Sequence, residues 1–198
     1  MQSSLTHEEA VEDLHVIRRT MERSTRYSNF AGLSGVAGGL IATAGLLTET
    51  RRNNAGTPFV IHWLVVIVLA LGFDYIWTQR RVRNQDKAVI RRLMRRMAFA
   101  ALPGLAAGLA ITLAFVWLNR TSELFPYWML CYGAAMSAVG LMSPREVSWM
   151  AWAFLIAGAL ALALQSAGMG WIGLPAFALS FGLFHCAYGV LVGVREGW

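Results

Sequence analysis

Charged residues are scarce in this sequence. They make up 14% of its 198 residues, and apolar residues make up 57%, whereas a soluble domain carries about 25% charged residues. This composition excludes an ordinary water-soluble domain. The formal net charge of +6 comes from arginines that lie beside apolar runs and not in a separate basic domain, so nucleic-acid binding is not predicted.

Cysteine is scarce as well, and the common catalytic motifs are missing. The two cysteines, Cys131 and Cys186, fall inside apolar runs without a paired spacing, which argues against a disulfide framework and a zinc knuckle. No HExxH, GxSxG or P-loop pattern occurs. We therefore predict a non-enzymatic protein with no catalytic residues, no metal and no cofactor. A cleavable signal peptide is not predicted, because residues 1–30 are polar.

Long apolar runs account for most of the chain. They cover residues 31–48, 59–78, 98–118, 126–142, 148–166 and 172–194. Each is close to the roughly 17–25 residues that a membrane-spanning helix needs, and none alternates as a membrane β-strand would. The predicted fold class is therefore all-α: a polytopic membrane protein with six transmembrane helices as three hairpins and two cytoplasmic amphipathic helices.

The predicted segments follow one another without a separate soluble domain. They are a cytoplasmic amphipathic helix at 1–30, hairpin 1 at 31–78, a basic cytoplasmic amphipathic helix at 79–97, hairpin 2 at 98–142 and hairpin 3 at 148–194. Of the 17 Lys and Arg residues, only Arg51, Arg52 and Arg120 lie on the side opposite the termini. Because cytoplasmic loops are enriched in Lys and Arg, we predict a bacterial inner-membrane protein with both termini in the cytoplasm.

A repeated frame precedes two of the apolar runs. VIRRTMER, residues 16–23, and VIRRLMRR, residues 89–96, share V-I-R-R-x-M-x-R, and the following LSGVAGGLIAT, 33–43, resembles LPGLAAGLAIT, 102–112. Either a helix-plus-hairpin unit has been duplicated, or glycine-rich spans match by composition alone. Composition does not fix the order of VIRRxMxR, which favours an internal repeat.

Glycine pairs four residues apart occur in both matching spans. Gly35-x-x-x-Gly39 and Gly104-x-x-x-Gly108 are GxxxG patterns, which allow two helix backbones to approach closely in a membrane. We expect the first and third helices to pack tightly through these faces, in one version against each other. Homo-oligomerisation through one of the faces is the alternative.

The basic segments each carry an apolar stripe opposite their arginines. In the second segment the stripe is Ile90, Leu93, Met94 and Met97, at helical spacing. Such a helix can lie against anionic lipid headgroups, pack on a cytoplasmic protein partner, or pack on the other copy. The predicted lipid or partner contacts are Arg18, Arg19, Arg23, Arg91, Arg92, Arg95 and Arg96.

Few ionisable side chains lie within the predicted spans, where each is costly and a candidate for function. Asp74, His185 and Tyr188 differ in depth by about 7 Å, and we predict that they form one intramembrane polar cluster. Asp74 either carries a proton or cation or pairs with Arg80, Arg81 or an arginine of a basic helix at the inner boundary. His185 is a metal or haem ligand, a proton relay, or a packed histidine that donates to a backbone carbonyl.

Two further polar residues, His62 and Tyr132, are assigned a secondary role toward the outer side. His62 and His185 differ in predicted depth by about 15 Å. Two nitrogens bound to one metal lie only about 4 Å apart. A single haem held by both histidines is therefore disfavoured.

Two stretches carry a resemblance to a known family. MERSTRYSNFAGLSGVAGG, 21–39, and FGLFHCAYGVL, 181–191, resemble an uncharacterised bacterial family of small six-helix integral membrane proteins, often encoded beside a winged-helix regulator. The resemblance extends over nearly the full length and implies the six-helix topology but no activity. Cys186 stands where an aliphatic residue is expected from the family.

The sequence thus predicts a membrane protein that senses or organises, with a basic cytoplasmic contact surface. The alternative is a small-solute or ion transporter or channel that uses Asp74, His185 and Tyr188. A haem-binding redox protein is a further alternative.

Overall fold

A computed structural model describes residues 32–52, 56–81 and 87–196. The helices within these ranges are α1 (Gly32–Arg52), α2 (Gly56–Arg81), α3 (Lys87–Trp117), α4 (Leu124–Gly140), α5 (Arg145–Ser166), α6 (Gly173–Phe177) and α7 (His185–Glu196). A π-helical segment, Ala178–Phe184, joins α6 to α7, and short 3₁₀ turns precede α4 and α6. The predicted first amphipathic helix, with Arg18, Arg19 and Arg23, lies outside the described residues.

Five helical segments are long and apolar enough to cross a membrane. They are α1, α2, α3, α5 and the stretch Gly170–Arg195, which we call the C-terminal span. These segments confirm that the described part of the chain is all-α, with helices of membrane-spanning length and composition. The remaining predicted span, α4, has 17 residues, which is near the lower limit of about 17 residues for crossing a bilayer.

The basic segment predicted at 79–97 is not a separate helix. Residues 79–81 belong to α2, which ends at Arg81, and residues 87–97 begin α3, which runs unbroken from Lys87 to Trp117 through Pro103. The predicted boundary at residue 97 was wrong because no glycine or proline separates the basic stretch from the apolar one. Neighbouring groups can satisfy the backbone that a proline frees inside a membrane helix.

The apolar stripe of this basic stretch is buried inside the protein. Ile90, Met97 and Ala101 are buried in one hydrophobic cluster with Val139 of α4 and Val147 of α5. Leu93 and Met94 pack against the same cluster. The start of α3 is therefore anchored on the ends of α4 and α5. We call this end of the bundle the arginine-rich end, because Arg91, Arg92, Arg95, Arg96, Arg145 and Arg195 are exposed there.

The two glycine faces pack on different partners. A Cβ at Gly35 would lie 2.8 Å from the Gly189 Cα, and one at Gly39 would lie 2.6 Å from the Gly182 carbonyl oxygen, so α1 meets the C-terminal span backbone to backbone. A Cβ at Gly104 would lie 2.8 Å from the Cys131 carbonyl oxygen, and Gly108 faces the same cysteine of α4. The version in which the first and third helices use these faces against each other was wrong.

Packing of the other helices centres on α4 and the C-terminal span. α4 lies between α3 and α5, and the C-terminal span contacts α1 on one side and α4 and α5 on the other. α2 packs on α1 and leaves an exposed face that includes Leu64, Val68 and Leu71. A chain that is hydrophobic on such outer faces suits a lipid environment.

Candidate intramembrane polar site

A tyrosine–histidine pair lies in the interior of the bundle. The Tyr132 hydroxyl of α4 lies 2.8 Å from His185 Nε2, at the start of α7. The π-helical segment ends directly before His185, and such segments often occur at functional sites. Its i→i+5 hydrogen bonding takes in an extra residue, which rotates the side chains that follow it. His185 is thereby turned toward α4.

Aromatic rings surround the pair. The His185 ring lies 5.4 Å from the Phe154 ring and is stacked 5.8 Å from the Phe181 ring, and Tyr132 contacts the same two rings. Phe154 is fully buried and also contacts Phe184. In such an apolar setting a hydrogen bond is stronger than in water, and an unpaired polar atom is more costly.

Two buried polar atoms of this site have no hydrogen-bond partner among the described residues: His185 Nδ1 and the Tyr188 hydroxyl oxygen. The backbone carbonyls of Ser180 and Phe181 act electrostatically on the His185 ring without completing a well-aligned hydrogen bond. Carbonyl groups only accept, so they favour a hydrogen on Nδ1. The Tyr132 hydroxyl then donates to Nε2. The Nδ1–H and the Tyr188 hydroxyl therefore remain available to a small polar group.

Asp74 lies at the edge of this region. Its carboxylate accepts a hydrogen bond from the Ser34 side chain of α1, and its charge acts on the hydroxyl groups of Tyr132 and Tyr188. Asp74 itself is exposed on the bundle surface, whereas Tyr188 is buried. The clustering of Asp74, His185 and Tyr188 stays a prediction. The structure places Tyr132 beside His185, whereas the sequence had grouped it with His62.

His62 belongs to a different site at the opposite end of the bundle. Its Nε2 lies 2.9 Å from the Gly45 carbonyl oxygen and 3.8 Å from Glu49 Oε2. Glu49 is buried, with 4% of its surface exposed, and sequence reasoning missed it. The available signal was an acidic residue in the last turn of one apolar run, facing a histidine in the first turns of the next.

The rings of several residues separate the two histidines. His62 contacts Trp63, Trp63 contacts Phe177, and Phe177 contacts Phe181, which is stacked on His185. Among the described residues, no group of three or more His, Cys, Asp or Glu side chains is placed to hold a metal ion. The structure therefore does not bring the two histidines to a common centre.

In comparisons with family models, curated proteins and solved structures, no match to this chain was found.

Proposed function

We propose that this chain is a non-enzymatic protein of the bacterial inner membrane that senses or organises, and that the exposed arginines at the start of α3 bind a cytoplasmic protein partner. The observation that carries this proposal is that the start of α3 has a buried apolar face and an exposed arginine face. Ile90 and Met97 are each 9% exposed, whereas Arg91, Arg92, Arg95 and Arg96 are all exposed. The apolar stripe is used inside the protein, so the arginines are held outward on a fixed support.

The same helix connects the arginines to the interior. α3 continues from the basic stretch into the bundle, where Gly104 and Gly108 pack on α4. α4 carries Tyr132 of the polar site. A change in the polar site can therefore shift α4 and, through it, the arginine face. Because helices are rigid and interfaces are bistable, this continuity supports a sensing role.

Cytoplasmic orientation of the arginines is part of the proposal. It rests on the excess of Lys and Arg on that side. The resemblance to small six-helix bacterial membrane proteins is consistent with it. A protein partner with an acidic surface is the occupant that we propose, since arginine forms bidentate pairs with carboxylates.

An internal repeat is also proposed. In each copy of the repeat, the second glycine of the GxxxG pair faces a cysteine of the packing partner: Gly39 faces Cys186, and Gly108 faces Cys131. This common contact pattern supports a duplicated packing unit, although the partner is the C-terminal span in one case and α4 in the other.

Reversing two charges tests the contact surface. We expect Arg91→Glu together with Arg92→Glu to lower recovery of a cross-linked cytoplasmic partner by about tenfold or more, because like charges would then face each other across the interface. The measurement is quantitative co-purification with the full-length chain from cross-linked cells. Arg120→Glu, at the opposite end of the bundle, is the matched control and should leave recovery unchanged. A partner whose recovery survives the double reversal would sink this proposal.

Transport is the second candidate function, and the buried polar site favours it. The site includes the exposed Asp74 and the half-buried Tyr132–His185 pair, and two of its polar atoms have no partner among the described residues. Ionisable groups at such depth mark proton or ion pathways. In this version the site carries protons or a small cation.

Flux measurements separate the two candidates. We expect proton or cation flux into liposomes that contain the purified protein, and a loss of about a hundredfold in Asp74→Asn and His185→Ala, since a positioned proton-transfer group contributes about that factor or more. Tyr75→Phe, which changes the exposed neighbour of Asp74, is the control. Flux that is equal in all four proteins would remove the transport candidate.

A further inference from the structure

We propose that a groove between α5 and α7, at the arginine-rich end, holds one anionic phospholipid. Its phosphodiester group would lie against Arg145 and Arg195, and one acyl chain would lie along the groove. This site is distinct from the arginine face of α3 and from the Tyr132–His185 pair.

The walls of the groove are apolar. It has a volume of about 190 Å³ and is bounded by Trp149, Met150 and Ala153 of α5 and by Phe184, Ala187, Tyr188 and Leu191 on the C-terminal span. The Tyr188 hydroxyl oxygen is buried and does not face the groove. Glu146 lies at its end. An acyl chain that fills this groove would cover almost only apolar atoms. Its binding would therefore bury no polar group that needs a compensating hydrogen bond.

The described side chains at the mouth of the groove carry a net positive charge. The Arg195 guanidinium pairs with the Glu146 carboxylate, and the Arg145 guanidinium lies 5.7 Å from the centre of the Trp149 ring. Each guanidinium has five N–H donors, and one carboxylate cannot occupy the donors of both. Two arginines against one acid therefore leave a positive site with free donors, which matches a phosphodiester and disfavours a zwitterionic headgroup.

The groove lies within one leaflet. Its lining runs from Phe184 to Leu191 on the C-terminal span, which is seven positions or about 10 Å along a helix. Half of a hydrocarbon core of about 30 Å is about 15 Å, so the groove would hold the part of an acyl chain nearest the headgroup. Trp149, which is 54% exposed, lies one turn inside the mouth, at the level where tryptophan is enriched in membrane proteins. Basic pockets between transmembrane helices bind anionic headgroups in this way.

Native mass spectrometry of the full-length chain tests the proposal. Delipidated protein in detergent would be titrated with phosphatidylglycerol, phosphatidylcholine of the same chain length, and glycerol phosphate. We expect one phosphatidylglycerol to bind, with phosphatidylcholine at least about fivefold weaker, because one arginine near an anionic lipid is worth about that factor. Glycerol phosphate, which has no acyl chain, should not bind measurably.

Two variants separate the headgroup from the chain. Ala187→Leu fills the groove at an exposed position and should lower phosphatidylglycerol binding by more than about tenfold, at roughly 25 cal/mol for each Å² of lost apolar contact. Arg145→Gln should lower it about fivefold. Ala159→Leu, at an exposed position of α5 outside the groove, and Arg120→Gln are the matched controls, and both should bind as the unchanged protein does.

Three results would overturn the proposal. Equal binding of the two phospholipids would remove the role of the arginines. Phosphatidylglycerol binding that Ala187→Leu leaves unchanged would remove the role of the groove. Binding of glycerol phosphate as strong as that of the lipid would show a headgroup site alone. Circular dichroism and the elution volume in detergent would confirm that each variant remains folded.

Discussion

Replacing Gly189 with alanine is expected to destabilise the folded protein by about 2 kcal/mol or more. A Cβ at this position would lie 2.5 Å from the Gly32 carbonyl oxygen and 2.8 Å from Val36 Cγ2, and it would also meet the Val36 amide nitrogen. Two of these three atoms are backbone atoms of α1. They cannot move aside without shifting the helix, so α1 and the C-terminal span would have to separate.

Helix propensity acts in the opposite direction. Alanine is favoured over glycine inside a helix by about 1 kcal/mol, so the net loss is smaller than the cost of the clash alone. Gly38 provides the matched control, because a Cβ there would meet nothing within 4 Å. Gly38→Ala should be neutral or stabilising by up to about 1 kcal/mol. The two substitutions should therefore differ by about 3 kcal/mol.

Unfolding in mixed micelles measures this difference. The unfolded fraction would be followed by circular dichroism as the proportion of sodium dodecyl sulfate rises, with both alanine variants and the unchanged protein in the same detergent. Equal midpoints for Gly189→Ala and Gly38→Ala would contradict the close contact between α1 and the C-terminal span.

For the glycine faces, the sequence predicted the close-packed surface but not its partner. The spacing of Gly35 and Gly39 predicted a close-packed face, and both residues lie at such an approach. The partner could not be predicted, because GxxxG describes one surface and contains no information about the second. The other surface contains a GxxxG pair of its own, Gly189-x-x-x-Gly193, and Gly193 lies against Gly32 of α1, but the spacing alone does not say which two glycine faces meet.

The prediction of a separate helix for the basic stretch was wrong for a different reason. Residues 89–96 have the amphipathic pattern of an interfacial helix, and periodicity alone does not distinguish a stripe that faces lipid from one that faces protein. In the structure this stripe, which includes Ile90 and Met97, is buried against the ends of α4 and α5. The helix continues without a break past Met97 into the span. This continuation depends on that tertiary contact, which the sequence does not reveal.

The polar site was predicted in its depth but not in its contacts. Depth follows from counting residues along each span, which placed Asp74, His185 and Tyr188 near one another. The hydrogen bond from Tyr132 to His185 depends on the π-helical segment before His185. The rotation of side chains that the π-helical segment causes is not visible in the hydrophobic periodicity. The sequence analysis therefore grouped Tyr132 with His62 on the outer side.

Tyr132 and His185 are expected to behave as an energetically coupled pair. Tyr132→Phe leaves His185 Nε2 buried without its partner, and His185→Phe leaves the Tyr132 hydroxyl in the same condition. Each single change should cost about 1–3 kcal/mol, which is the usual penalty for an orphaned buried polar atom. Phenylalanine preserves a ring at both positions, so contacts with Phe154 and Phe181 are largely retained.

The double variant should be more stable than the sum of the single changes predicts. Replacing both partners with apolar groups of similar shape can be nearly neutral, and we expect a coupling energy of about 1–2 kcal/mol in the double-mutant cycle. The four proteins would be compared by unfolding in mixed micelles. Additive losses would mean that the 2.8 Å contact contributes no coupling between the two side chains.

The same double variant distinguishes a structural pair from a functional one. Where the pair only holds α4 against α7, Tyr132→Phe with His185→Phe restores both stability and activity. Where the pair carries a proton or reports on one, stability returns and activity does not, because phenylalanine has no group that can be protonated. Flux and partner recovery would be measured on the folded double variant and compared with the unchanged protein at the same folded fraction. We expect the second outcome, since Nδ1 has no well-aligned hydrogen-bond partner among the described residues, and a buried group of this kind often has a chemical role.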